Sequence, residues 1–100
     1  MKYKNLFTPI KINQTIIKNR IVAAPIGDVF EEKAIGGAGI VVAGHAIVEY
    51  GRSSFASPTE PDVFSKYEVE KTVERIRKIH AGGAKASIEI FHGGRYARVL

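Results

Sequence analysis

Lys85-Ala86-Ser87-Ile88-Glu89-Ile90-Phe91-His92-Gly93-Gly94-Arg95-Tyr96 is the stretch that decides the fold. Lys85 to Phe91 reads as a buried strand, and the residues after it form a polar, glycine-rich turn. The strand's carboxyl end therefore gathers a carboxylate (Glu89), a ring (Phe91), an imidazole (His92) and a guanidinium (Arg95). In a parallel α/β protein that end of the sheet is where ligands bind. Gly82-Gly83, just upstream, is a helix stop, so a helix runs almost directly into this strand.

The helix preceding it is the clearest in the chain and spans 65–81. Ser65 is a good N-cap, and Glu68 three positions on completes a capping box. Val69, Val73, Ile76 and Ile79 or His80 recur at helical spacing and make one apolar face. Glu68, Glu70 and Glu74 lead while Arg75, Arg77 and Lys78 follow, the order that the helix dipole favours. Its charges mark a solvated face.

Two earlier strands complete the pattern. Gly39-Ile40-Val41-Val42-Ala43-Gly44-His45-Ala46-Ile47-Val48 is a run without alternation, as expected of a strand buried on both faces. Arg20-Ile21-Val22-Ala23-Ala24-Pro25-Ile26 is another, and it should end at Pro25, which has no N–H for a ladder. Between them Asp28 to Ala34 gives about two turns of helix, stopped by Gly36-Gly37. This crossover is near the lower limit for joining parallel strands. Residues 49–64 form a long connection rich in Gly, Ser and Pro, a length associated with function or with mobility. Residues 6–18 read as a hairpin in which Ile10, Ile12, Ile16 and Ile17 flank the turn Asn13-Gln14-Thr15.

The order hairpin, β, short α, β, long loop, α, β implies a parallel sheet or barrel. Three strands with one long helix cannot cover both faces of a sheet, so residues 1–100 are expected to be one incomplete domain whose remaining walls lie beyond Leu100.

Composition narrows the function. One hundred residues allow one small core. With no cysteine there is no disulfide, thiolate metal site or iron–sulfur ligation in these residues, and a reducing compartment, the cytoplasm, is expected. Met1-Lys2-Tyr3-Lys4-Asn5 is not followed by the apolar core of a signal peptide, and the apolar runs are too short to span a bilayer. The net charge of +5 is scattered and interleaved with Glu rather than gathered in an aromatic-lined stripe, which argues against nucleic acid as a partner. Oligomeric state is not legible.

Three segments, in order, resemble the old yellow enzyme family of flavin oxidoreductases. Leu6-Phe7-Thr8-Pro9-Ile10-Lys11-Ile12 followed by Ile17-Lys18-Asn19-Arg20-Ile21-Val22-Ala23-Ala24-Pro25 resembles the family's opening. Gly36-Gly37-Ala38-Gly39-Ile40-Val41-Val42 is similar to its second-strand motif. Ile88-Glu89-Ile90-Phe91-His92-Gly93-Gly94-Arg95-Tyr96 resembles its third-strand motif, usually Leu-Gln-Leu-x-His-x-Gly-Arg, and Tyr96 resembles the branch with 2,4-dienoyl-CoA reductase and trimethylamine dehydrogenase. The resemblance implies the N-terminal part of a TIM (β/α)8 barrel preceded by a hairpin that caps the other end. It implies FMN at the carboxyl ends of the strands, NAD(P)H as reductant, and ping-pong hydride transfer to a small substrate such as an activated alkene. Iron–sulfur and FAD sites, which the branch can carry, would belong to a missing C-terminal part.

Carried onto this chain, the resemblance implies Pro25, Ile26, Gly27, His45 and Glu89 as FMN contacts, with Phe91 and His92 on the substrate side. The catalytic residues would come from later strands. Three departures stand out. His45 replaces a small residue, and the segment Asp28 to Gly37 is shorter than the family's loop and helix. Glu89 replaces a glutamine that both donates and accepts, and an ionised carboxylate only accepts.

Plainer readings stand beside these. His92 and Arg95 form a catalytic pair or simply cap the strand end, and Phe91 flanks a substrate cavity or fills the core. His45 and His92 lack a third ligand at metal-type spacing. Gly36-Gly37-Ala38-Gly39 precedes a strand instead of opening a helix, so it is no phosphate loop. Arg20 is structural, and Arg52 and Arg98 are solvated or reach acidic substrate groups. Two other functions remain open: a different TIM-barrel enzyme such as an aldolase or lyase, or a truncated, non-catalytic remnant.

Overall fold

A computed structural model describes residues 2–48 and 66–97. The long connection 49–64 with Arg52, the cap Ser65 and Arg98 lie outside the described residues, as do the side chains of His45 and Glu68.

The chain opens with an antiparallel hairpin of β1 (Ile10–Ile12) and β2 (Thr15–Ile17), in which Ile10 faces Ile17 and Ile12 faces Thr15. Thr15 is thus a strand residue, not part of the turn. The turn needs only Asn13-Gln14 because Asn13 takes a left-handed φ of 52°, which Asn tolerates better than most residues. Arg20, just past the hairpin, ties the chain back to the segment that leads into it. Its N–H donates to Leu6 O at 2.9 Å and its Nε donates to Thr8 O at 3.4 Å. That is the structural role expected of Arg20.

Three parallel strands come next: β3 (Val22–Ala23), β4 (Ile40–Ile47) and β5 (Lys85–Phe91), in that spatial order. Helix α1 (Phe30–Ile35) links β3 to β4, and helix α2 (Lys66–Ala81) precedes β5. The short crossover, 24–39, does join parallel neighbours: Val22 pairs with Ile40 and Ala23 with Val41. The hairpin sits at the amino ends of the strands. Ile17 lies against Gly39, which precedes β4, and Lys18 lies near Gly83, which precedes β5.

Asn19, a buried polar residue, secures that end. Its Nδ2 donates to Gly37 O at 2.7 Å and its Oδ1 accepts Ile21 N–H at 3.0 Å. One side chain thereby joins the entry to β3 with the exit from α1. A Cβ added at Gly39 would come within 2.5 Å of Asn19 Oδ1, so only glycine fits there.

The core lies between the sheet and the two helices. Phe30 and Ala34 of α1, Val41 and Ala43 of β4, Ile79 of α2, and Ala38 and Ala84 form one buried cluster, with Ile21, Ala23 and Ala86 packed against it. Small residues let α1 and α2 approach closely: a Cβ at Gly82 would meet Ala34 Cβ at 2.5 Å. Ile79, fully buried, anchors α2, whereas His80 is exposed, and this decides which of the two completes the apolar face. Val69 and Val73 of that face remain about two-fifths exposed, and with Thr72 and Ile88 they line an open groove of about 200 Å³. Among the described residues no helix is long and apolar enough to cross a membrane.

The first strand of this sheet departs furthest from expectation. It spans two residues instead of reaching Pro25, and it is not covered on both faces, since Val22 is 56% exposed. The backbone beyond Ala23 leaves the ladder because other groups take its carbonyls. Lys33 Nζ donates to Ala24 O at 2.8 Å and to Ile26 O at 2.6 Å, and Ile26 N–H folds back to Ala24 O at 2.8 Å. Helix α1 likewise starts at Phe30 rather than Asp28.

Candidate functional site at the strand ends

The carboxyl ends of β3, β4 and β5 lie side by side, opposite the hairpin. The segment Pro25-Ile26-Gly27 extends from the first of them. Pro25 is the centre of the three-residue turn closed by Ile26 N–H and Ala24 O, a turn that suits proline's fixed φ. Gly27 has a φ of +70° with nothing within 4 Å of where a Cβ would stand, so the backbone is bare there. No described residue accepts its N–H.

Between β4 and β5 the register slips. Ala43 pairs with Ile88, but the next pair is Ala46 with Ile90. Gly44 and His45 therefore stand opposite the single residue Glu89, a bulge at the end of the sheet where ligands bind. Glu89 lies across Gly44: a Cβ built there would sit 2.6 Å from Glu89 Cβ and 3.2 Å from Oε1. Only glycine admits the carboxylate in this position. Glu89 is exposed, and its oxygens have no partner among the described residues. Ile26, His45 and Glu89 thus belong to one end of one sheet, with His45 placed by its backbone.

Beyond β5 the structure separates His92 from Arg95. His92 Nδ1 accepts Gly94 N–H at 2.9 Å, closing the turn that leads into a 3-10 segment, Gly94–Tyr96. In the neutral ring Nε2 then carries the hydrogen and is the group left to donate. Arg95 stacks over the Tyr96 ring at 4.7 Å and donates to its hydroxyl at 2.6 Å. The two residues cap and brace the strand end, and the paired arrangement is not formed. Phe91 is half-buried at the last rung of β5, opposite Ile47, with its carbonyl accepting Val48 N–H at 3.2 Å.

Lys33 is the residue at this edge that sequence reasoning passes over. It stands in the last turn of a six-residue helix, and only the tertiary path of the crossover brings it back to Ala24 and Ile26. No local spacing would have found it. A separate cavity of about 300 Å³ lies between α1 and α2, lined by Asp28, Phe30, Glu31, Glu32, Arg75 and Lys78. It mixes charges of both signs on the helical layer, as a solvated surface does.

Comparison with known proteins agrees with this fold. The solved structure of a 2-naphthoyl-CoA reductase superposes with a TM-score of 0.83 at 26% identity, over 97% of this chain and 17% of that one. The old yellow enzyme from Trypanosoma cruzi superposes with a TM-score of 0.80 at 20% identity, over 97% of this chain and 29% of its own, which shows the shared fold. Residues 5–99 match the NADH:flavin oxidoreductase / NADH oxidase family, and the chain belongs to it. An NADPH dehydrogenase from Halalkalibacterium halodurans is 31% identical over 116 residues, covering 99% of this chain and 33% of that protein. A cinnamate reductase from Clostridium sporogenes is 30% identical over 110 residues, covering 92% of this chain and 16% of its own. The chain thus spans a third or less of these relatives. The family match sets aside the aldolase or lyase reading.

Proposed function

We propose that this chain supplies the first strand ends of an FMN-dependent NAD(P)H oxidoreductase, acting in the cytoplasm on a small acceptor such as an activated alkene. FMN, when bound, supplies hydride transfer between the nicotinamide and the acceptor. The residues present suit it. A Gly27 N–H and a Glu89 carboxylate, neither with a partner among the described residues, share one edge, offering a donor and an acceptor to a heteroaromatic rim. The observation that carries the reading is the bulge of Gly44 and His45 against Glu89, which holds that carboxylate at the sheet's end.

Pro25, Ile26, Gly27, His45 and Glu89 are the proposed FMN contacts. Phe91 and His92 are proposed on the substrate side, His92 offering Nε2–H. The rest of the barrel wall, with the catalytic residues, is proposed to complete the site.

Glu89 sets the electrostatics. As an acceptor it would hold the flavin N3–H, and its charge would disfavour further negative charge on the ring. Glu89→Gln in the complete protein is therefore expected to raise the midpoint potential of bound FMN. An unchanged potential removes this role for Glu89. Titration of the complete apoprotein with FMN tests the wider reading, and absence of binding favours a non-catalytic remnant.

A further inference from the structure

Lys33 stands beside the proposed cofactor edge without a role in it so far. Surface lysines ordinarily pair with carboxylates or water. Lys33 has Glu31 and Glu32 beside it in sequence, yet no carboxylate pairs with it among the described residues. Its ammonium instead makes two charge-assisted bonds to backbone carbonyls of one turn, Ala24 O at 2.8 Å and Ile26 O at 2.6 Å. Ala24 O also accepts Ile26 N–H at 2.8 Å.

The geometry of the peptide unit turns this grip into a consequence for the next residue. In a trans peptide the C=O and the following N–H point in opposite directions. With Ile26 O drawn toward Lys33, Gly27 N–H is turned away from it. Gly27 holds a φ of +70°, and its N–H has no described acceptor. Without the ammonium, two carbonyl dipoles would converge with no cation between them, and the 26–27 peptide would be free to rotate.

We infer that Lys33 is a positioning residue that holds the 26–27 peptide with Gly27 N–H presented as a donor to FMN. The inference rests on the reading of these strand ends as the cofactor edge. Lys33 itself touches neither cofactor nor substrate. Its effect passes through the backbone.

The test uses the complete protein, with Lys33→Met, Lys33→Gln and Lys33→Arg, and Lys78→Met as a control on the outer helix. FMN dissociation constants, the visible absorption of bound FMN, and unfolding of each apoprotein are measured together. Loss of two charge-assisted bonds predicts FMN binding weaker by about tenfold or more in Lys33→Met. A displaced visible band should accompany it, while the apoprotein unfolds as the wild type does. Lys33→Gln, with a neutral donor, should fall between, Lys33→Arg should recover most of the affinity, and Lys78→Met should match the wild type. Wild-type affinity and spectrum in Lys33→Met overturn the inference. So does an apoprotein of Lys33→Met or Lys33→Gln that unfolds, which would make the lysine merely structural. If the wild type binds no FMN, it is the cofactor reading that fails, and accelerated proteolysis between Ala24 and Val29 in the Lys33→Met apoprotein then reports on the grip itself.

Discussion

Glycine at position 44 is required by its neighbour rather than by its own backbone. Its φ is not in the left-handed region, yet a methyl there would collide with Glu89 Cβ at 2.6 Å. Two carbons so close must move apart, and Cβ of Glu89 is fixed to its strand. Gly44→Ala is therefore expected to push β4 and β5 apart at the bulge, at a cost of about 1–3 kcal/mol. Denaturant unfolding of the complete protein measures it. A variant with unchanged stability would show that Glu89 does not lie across Gly44. The pairing is not legible in the sequence, where Gly44 and Glu89 are separate motifs. It depends on a register shift that no spacing rule announces.

At the scale of elements, β5 is not the buried strand expected: its residues are exposed or half-buried, with Ile90 66% exposed. The bounds of α2 and β5 are readable almost to the residue, because Gly82-Gly83 and His92-Gly93 punctuate them. The helix's docking is less so. Ile79 and His80 fit the helical spacing equally well, and only contact with α1 and the sheet selects Ile79, which is fully buried while Val73 is 39% exposed. Ile79→Ala is expected to cost about 2–5 kcal/mol, as for other buried isoleucines. Val73→Ala, on the open groove, should cost well under half as much. Thermal or denaturant unfolding separates them, and equal losses would place Val73 in a covered core. The strand β3 misleads for the opposite reason. Its apolar run Ile21-Val22-Ala23-Ala24 continues past the ladder, which stops where Lys33 claims the carbonyls. A bond from a helix nine residues away leaves no mark on local pattern.

For the molecule as a whole, the decisive fact is surface that ought to be covered. Val22 and Ile26 are exposed on the sheet side, Ile90 at the end of β5, and Val69 and Val73 along α2. Strand β5 has no partner on its outer side among the described residues. Exposed apolar surface next to an unpaired strand edge favours self-association. The isolated hundred-residue polypeptide is expected to aggregate or to remain partly unfolded. A soluble monomer with a sharp two-state thermal transition would contradict this, and light scattering with calorimetry decides. The parallel order and the hairpin are legible because β–α alternation and turn chemistry are local. The site is legible only as a set of strand ends, since its edge is made by backbone that tertiary contacts aim.

Asn19 gives the short crossover a further meaning. Asn19 Nδ2 holds Gly37 O at one end of that crossover while Asn19 Oδ1 holds Ile21 N–H beside the other. A segment whose two anchorage points are stapled to one amide can gain or lose turns without tugging on the sheet. Foreign sequence grafted between the exposed Asp28 and Val29, ahead of the buried Phe30 and Ala34, is thus expected to be tolerated by the sheet, an outcome that library screening of inserts at this position would expose.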